Sequence, residues 1–180
     1  MTGFVCAVVL SQSPLWLVFE NRERQTAHII FKVGDDLRTD ILSLQMIRIM
    51  DQLWRNEGLD LHMQPYRAVS TGKDEGIIEV VTNSETTSAI SQAYGGGGAV
   101  SAFSRTALAE WLRACNPTEA AYREAVTNFT LSCAGYCVAT YILGVGDRHN
   151  DNIMITYGGN LFHIDFAYFL GRRVTFAGIP

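Results

Sequence analysis

The chain is short of cysteine, of positive charge and of secretory signals, and each shortage narrows what it can be. Its four cysteines, Cys6, Cys115, Cys133 and Cys137, have a spacing that matches no zinc pattern. They read as small buried hydrophobes in a reducing compartment, with Cys133 and Cys137 inside an apolar stretch. Lys and Arg number 14 against 18 Asp and Glu, for a net charge of −4, and no basic patch stands out. That balance argues against a nucleic-acid partner, which calls for a basic face. No apolar run is expected to span a bilayer. Met1–Leu10 lacks the basic flank of a secretory signal. What remains is 180 residues, 48% of them hydrophobic, enough for the core of roughly one domain.

The pattern of elements is α+β. Phe4–Leu10 and Leu15–Phe19 read as strands joined by a turn at Ser11–Pro14, and Ala27–Phe31 reads as another strand. After Gly34, Asp35 and Asp36 offer N-cap oxygens to a helix over 37–57. Its apolar residues form two stripes, Leu37, Ile41, Leu44 and Leu42, Met46, Ile49, Leu53, which together predict a wide buried face. Gly58 ends it. Arg67–Thr71 and Gly76–Val81 form an expected hairpin. The second half reads as mainly helical. Ser84–Tyr94 is helix-compatible, and Gly95–Gly98 is a plain loop, since no Lys-Ser/Thr follows to make a phosphate loop. Ser104 is placed to cap a helix containing Leu108, Trp111 and Leu112. Thr118 caps a long helix running to about Leu143, with Glu119 near the positive end of its dipole. Its apolar end, Cys133–Leu143, is expected to be buried, and Gly144–Gly146 stops it.

The residues that carry chemistry follow that stop. Asp147-Arg148-His149-Asn150-Asp151-Asn152 leads into two short apolar runs, Ile153–Thr156 and Leu161–Ile164, joined by Tyr157-Gly158-Gly159-Asn160. A hairpin of that length returns the chain beside its start, so it can bring Asn152 and Asp165 into one site. An amide oxygen with a carboxylate is a donor pair that Mg²⁺ uses when nucleotide phosphates supply further oxygens. In protein kinases a catalytic Asp lies five residues before the metal-binding Asn, and an Asp-Phe-Gly carboxylate follows a hairpin. Asp147, Asn152 and Asp165-Phe166 reproduce that layout, with the order Asp-Arg-His in place of His-Arg-Asp.

Several segments taken together resemble the catalytic subunits of the class I phosphoinositide 3-kinases. They are Phe31–Asp40, Cys133–Gly146, Asp147–Met154 and Phe162–Phe166, with Asp60-Leu61 before Pro65-Tyr66 and Ser70-Thr71-Gly72 before Ile77–Val81. The resemblance implies a two-lobed, protein-kinase-like fold. Residues 1–82 would form a small lobe of antiparallel sheet plus helix, through the hinge strand. Residues 83–180 would be part of a mainly helical large lobe, truncated here. It implies ATP and Mg²⁺ as cofactors and transfer of the γ-phosphoryl to the 3-hydroxyl of a phosphoinositide at the membrane. Pro14-Leu15-Trp16 would form the end of the phosphate-side loop and the wall of the adenine pocket, and Lys32 would contact phosphates. Asp40 and Tyr66 would lie deep in the pocket, with Ile78, Glu79 and Val81 at the hinge and Met154 and Ile164 beneath the adenine. Asn152 and Asp165 would hold metal, and Asp147 and His149 would orient or deprotonate the hydroxyl. His163 reads as a buried structural histidine.

The same resemblance implies a cytoplasmic protein recruited to the inner face of the plasma membrane. A regulatory subunit and a small GTPase would bind through domains outside this chain. Departures from the family pattern also stand out. Thr39 replaces Gln, the loop before Pro14 lacks lysines, and Asp165-Phe166-Ala167-Tyr168 replaces Asp-Phe-Gly-His. Ala167 gives up glycine's access to positive φ, and Tyr168 replaces a second active-site histidine. These changes leave open an alternative, a catalytically weak or silent nucleotide-binding scaffold. Arg172 and Arg173 are the only hint of a basic lipid-reading segment, so the chain reads as a fragment.

Overall fold

The computed structural model describes residues 5–6, 14–20, 22–95 and 106–171. Most of the first expected strand, Ser11–Ser13, Gly96–Gly98, Ser104, Arg172 and Arg173 lie outside the described residues. The chain divides into two compact units, Met1–Met46 with Pro65–Thr82, and Ile47–Gln64 with Asn83–Pro180.

The first unit is a five-stranded antiparallel sheet in the order β1-β2-β3-β5-β4. Strands β1 (Val5–Cys6), β2 (Leu15–Glu20) and β3 (Thr26–Val33) neighbour one another, and β3 pairs in turn with β5 (Glu75–Glu79). β4 (Ala68–Gly72) and β5 form a tight hairpin whose two turn residues are Lys73 and Asp74, with Asp74 at φ 55°. Asp tolerates that left-handed conformation better than most residues, and hairpin turns demand it. The Asp74 carbonyl accepts from the Gly34 and Asp35 amides at 2.7 and 3.1 Å, so the hairpin turn fixes the end of β3. Asp36 then opens helix α1 (Arg38–Asn56): its Oδ1 accepts from the Arg38 amide at 3.1 Å, and its carboxylate pairs with the Arg38 guanidinium at 2.6 Å.

Only one of the two expected stripes of α1 is buried. Leu37, just before the helix, and Leu44 and Ile47 within it are almost fully covered, whereas Leu42, Ile49 and Leu53 are 46%, 53% and 57% exposed. The helix is therefore apolar on a face that stays about half exposed among the described residues. The helix stops as expected, with Gly58 at φ 78° and its amide donating to the Arg55 carbonyl at 3.0 Å.

The second unit is built on one long helix and a small sheet. Ser84–Thr86, expected to be helical, is instead strand β6, paired antiparallel with β7 (Ile153–Thr156), which pairs with β8 (Leu161–His163). The switch to helix happens at Thr86, whose hydroxyl accepts from the Ala89 amide at 3.1 Å and caps α2 (Thr87–Tyr94). α3 (Ala107–Cys115) starts after Thr106, which makes no side-chain cap bond. Thr118 caps α4 (Glu119–Leu143), accepting from the Ala121 amide at 3.2 Å, and Gly144 ends it at φ 58°. In that left-handed cap the Gly144 conformation suits a residue without a Cβ.

α4 packs one face on β8. The Ser132 hydroxyl donates to the Asn128 carbonyl at 2.6 Å and accepts from the Leu161 amide at 2.8 Å. One turn along, the Tyr136 ring stacks on His163 with centroids 5.2 Å apart. The expectation that Cys133–Leu143 would be wholly buried fails on the opposite face. Val138, Tyr141 and Ile142 are 45%, 87% and 60% exposed, Cys137 is exposed and Cys133 only half-buried. An amphipathic burial pattern has been written in wholly apolar residues, so composition alone hid it. By length and composition α4 is also apolar enough to cross a membrane, contrary to the sequence expectation. Its inner face is nevertheless committed to β8, as the core helix of this unit.

The β7–β8 loop touches α4 where a side chain would not fit. Gly159 has φ 94°, and a Cβ there would lie 2.9 Å from Ala125 Cα and closer still to its carbonyl. We expect Gly159→Ala to lower the unfolding free energy by roughly 2–4 kcal/mol, from strained φ and overpacking together. Urea unfolding measures this. An unchanged midpoint would show that the hairpin loop is not held against α4.

Candidate active site

The end of α4 delivers the chain directly into the loop that carries most of the candidate chemistry. After Gly144, the Gly146 amide donates to the Tyr168 carbonyl at 2.9 Å, and the Leu170 amide donates to the Leu143 carbonyl at 3.0 Å. These two bonds lay the segment after Asp165 alongside the start of the loop. Asp147 and Asp165, the two candidate carboxylates, both sit at positive φ, 55° and 59°. A left-handed backbone at a non-glycine residue costs free energy and persists only where its surroundings enforce it.

Arg148 supplies that enforcement. Its Nε donates to the Gly146 carbonyl at 2.8 Å and its Nη1 to the Ile164 carbonyl at 2.7 Å, with the Asn152 carbonyl at 3.5 Å. Its Nη2 donates to the carbonyl of Asp165. The guanidinium also lies over the buried Phe166 ring, 5.7 Å from its centroid. A planar, permanently charged fork of five donors suits this bridging, which a lysine could not copy. Sequence reasoning assigned no role to Arg148; its position between Asp147 and His149, beside backbone turns with carbonyls to satisfy, was the available signal.

The hairpin does what its length predicted. Ile153 pairs with His163, and the Ile164 amide donates to the Asn152 carbonyl at 3.0 Å, so Asn152 and Asp165 stand at the two open ends of β7 and β8. Asn152 is buried, and its amide is oriented. The Nδ2 donates to the Asp147 carbonyl at 2.9 Å and lies 3.0 Å from His149 Nε2. Because Asp147 presents a carbonyl, the amide nitrogen must face it, and Oδ1 is left as the acceptor end. His149 has two carboxylates near it, Asp147 at 4.0 Å and Asp151 at 3.7 Å, and its Nδ1 faces the Asp151 amide at 3.2 Å. A neutral imidazole has one lone pair, so it accepts from only one of its two N–H neighbours at a time. Met154 and Ile164, both half-buried, flank this cluster on β7 and just beyond β8.

An amide oxygen and an exposed carboxylate fit Mg²⁺ completed by phosphate oxygens. No trio of His, Cys, Asp and Glu side chains converges on a metal site among the described residues. Asn152 and Asp165 would therefore hold the cation together with oxygens that a bound phosphate brings.

The remaining candidate residues lie in the first unit. Pro14 and Lys32 share a depression of about 540 Å³ with Val33, Gly34 and Asp35. Lys32 Nζ is paired with Asp35 Oδ2 at 3.1 Å, a contact that an incoming anion would have to compete with. Trp16 is 49% exposed and meets His28 edge-on at 6.2 Å. Asp40 is half-buried on α1, Tyr66 is buried before β4, and Ile78 and Glu79 belong to β5 with Val81 just past it. None of these lines the Lys32 depression. Glu79 is turned to a local task, its Oε2 accepting from the Arg67 amide at 2.9 Å.

The family described as "Phosphatidylinositol 3- and 4-kinase" matches residues 26–180 of this chain. The chain is 56% identical over 167 residues to "Phosphatidylinositol 3-kinase 3" of Dictyostelium discoideum, covering 92% of the chain and 10% of that protein. It is 58% identical over 161 residues to "Phosphatidylinositol 3-kinase 1" of the same organism, covering 88% of the chain and 10% of that protein. It is 49% identical over 168 residues to human "Phosphatidylinositol 4-phosphate 3-kinase C2 domain-containing subunit beta", with 92% and 10% covered. The chain therefore spans about a tenth of the length of these relatives.

His163, behind the loop, gives this site a pH signature. Burial first, and the Arg148 charge second, push its pKa down to about 4. The unfolded chain binds a proton near ~6.5 and the folded one does not until about 4, so stability falls as pH drops through that window. The slope contributed by one such group approaches ~1.4 kcal/mol per pH unit. We expect His163→Phe to flatten the pH dependence of the unfolding midpoint between pH 6.5 and 4 relative to the parent chain. Parallel curves for the two proteins would show that folding does not shift the His163 pKa.

Proposed function

The chain belongs to the phosphatidylinositol 3- and 4-kinase family, and from that premise we propose that the whole protein transfers the γ-phosphoryl of ATP to the 3-hydroxyl of a phosphoinositide. The observation that carries this reading is the oriented amide of Asn152 at the start of β7, with Asp147 and His149 beside it and Asp165 just past the paired end of β8. Phosphoryl transfer asks a protein for alignment and charge neutralisation more than for covalent chemistry. Mg²⁺ bound through Asn152 and Asp165 would neutralise phosphate charge. Lys32 is assigned the same task by a fixed point charge at the end of β3, and Pro14 lies beside it. Trp16, Asp40, Tyr66, Ile78, Glu79, Val81, Met154 and Ile164 are assigned to the adenine pocket on the family resemblance. In the reaction, the hydroxyl oxygen bonds to phosphorus as the bond to ADP breaks, and the hydroxyl proton passes to Asp147 or His149.

The class I likeness, the cytoplasmic location and recruitment to the plasma membrane belong to the same proposal. So do a regulatory subunit and a small GTPase, as partners of parts of the protein outside this chain. The alternative, a weak or silent nucleotide-binding relative, is favoured by one residue. Tyr168 stands where the family has histidine, and a phenol with a pKa near ~10 is a poor proton acceptor at neutral pH.

Two experiments on the complete protein divide these readings. Asp165→Asn is expected to weaken Mg²⁺-dependent nucleotide binding by at least ~10-fold while leaving metal-free binding nearly unchanged. Titrations with and without Mg²⁺ compare the two, and equal losses would remove Asp165 from the metal. Tyr168→His is expected to raise lipid-kinase turnover, by up to the ~10²-fold that a positioned acid–base group supplies, with ATP affinity unchanged. The Tyr168 contact that holds Gly146 is a backbone bond, so the exchange leaves it in place. Absence of any turnover in parent and variant alike would favour the scaffold.

A further inference from the structure

The first turn of α2 reaches across to the loop that carries His149 and Asn152. β6 runs antiparallel to β7, with Ser84 opposite Thr156, Glu85 opposite Ile155 and Thr86 opposite Met154. The chain therefore leaves β6 heading toward the residues that precede β7. It turns into α2 at Thr86, and a helix begins with amides that have no partner inside it. The Thr86 hydroxyl accepts from one of them, the Ala89 amide, at 3.1 Å. Another, the Ser88 amide, donates to the Asn150 carbonyl at 3.0 Å, and the Thr87 hydroxyl donates to the same oxygen at 2.8 Å.

Thr87 can do this because of where it sits. Within α4, the hydroxyls of Thr127, Thr130 and Thr140 donate to carbonyls four residues back, those of Arg123, Val126 and Tyr136. Thr87 is the first residue of α2, so no helical carbonyl lies behind it to take the bond. Its acceptor belongs to a tight turn. The Asn152 amide donates to the His149 carbonyl at 2.9 Å, which leaves Asn150 and Asp151 as the central residues. A bond that fixes the Asn150 carbonyl thus fixes His149 at one corner of the turn and Asn152 at the other. Arg148 holds the base of the loop, at the carbonyls of Gly146, Ile164 and Asp165. The two bonds from α2 hold its apex.

We propose that Thr87 is a positioning residue for phosphoryl transfer, acting through the Asn150 peptide on the placement of His149 and Asn152. The proposal rests on the phosphoryl-transfer reading above. Every group in the contact belongs to the second unit. A loosened turn slows a step that depends on alignment more than it weakens binding.

The test compares the complete protein with Thr87→Val, which keeps the branched shape and removes the donor, and with Thr87→Ser, which keeps the donor. Thr87→Val is expected to lower lipid-kinase kcat by ~3–10-fold, the range that one neutral hydrogen bond supplies, with KM for ATP changed by less than ~2-fold. Thr87→Ser should keep kcat within ~2-fold of the parent. In hydrogen–deuterium exchange of Thr87→Val, the Ser88 and Asn152 amides should exchange faster, while those of α4 keep the parent's rate. Equal kcat in the parent and Thr87→Val would overturn the proposal. So would equal losses in Thr87→Ser and Thr87→Val, or faster exchange that spreads through α4. A parent without turnover would overturn the phosphoryl-transfer reading instead. Unchanged exchange at Ser88 and Asn152 in Thr87→Val would then overturn the Thr87 contact on its own.

Discussion

The second unit depends on a single cation placed among carbonyls. Arg148 reaches the backbone oxygens of Gly146, Asn152, Ile164 and Asp165, and so joins the end of α4 to both ends of the β7–β8 hairpin. Charge-assisted bonds of this kind are each worth more than a neutral pair, and removing the donor leaves several part-buried acceptors unpaired at once. Two consequences follow from the same placement. The left-handed backbones of Asp147 and Asp165 are held by bonds to the residues flanking them or to Asp165 itself. The positive charge also adds to burial in keeping the neighbouring His163 neutral. A neutral His163 can stack flat on Tyr136, and so α4, β8 and the loop share one rigid seam.

A second constraint concerns the faces that nothing covers. Leu42, Ile49 and Leu53 on α1, and Val138, Tyr141 and Ile142 on α4, are large apolar side chains exposed along regular helical stripes. Scattered exposed apolar residues need no explanation, but continuous stripes do. The chain spans a tenth of the length of its relatives, so these stripes are described without the rest of a longer protein. Their regular spacing is what a helix buried on two sides would carry.

The local signals in the sequence translated well where one residue decides the backbone. Thr118, Gly58 and Gly144 cap or stop helices as read, and the β7–β8 hairpin forms at its expected residues. The placement of Asn152 beside Asp147 was legible because their separation is set by a loop of fixed length. Reading failed where neighbours decide. Ser84–Thr86 has helix-compatible residues, but β7 offers an open edge and takes it as a strand. The apolar end of α4 looked uniformly buried because the side facing β8 and the side facing outward use the same residue types. Arg148 was passed over because its partners are carbonyls, and backbone oxygens leave no mark in a sequence. Lys32 illustrates the converse, since its identity was visible but its ion pair with Asp35 was not.

The departure at Ala167 and Tyr168 separates into a backbone part and a chemical part. In the sequence, Ala167 looked like the loss of a glycine needed at positive φ. In the structure the residues at positive φ in this segment are Asp165 and Leu170, with Gly171, and Ala167 is not one of them. Its amide lies 3.4 Å from Asp165 Oδ1, a local contact that any residue but proline can make. Alanine therefore strains nothing, and it does not explain a loss of activity. Tyr168 likewise meets its structural obligation through its carbonyl, which holds Gly146 whatever side chain is attached. The backbone thus accommodates both substitutions, which leaves the phenol of Tyr168 as the chemical difference from the family pattern. In the proposed reaction, Asp147 and His149, 4.0 Å apart on the same loop, would be the groups left to take the hydroxyl proton.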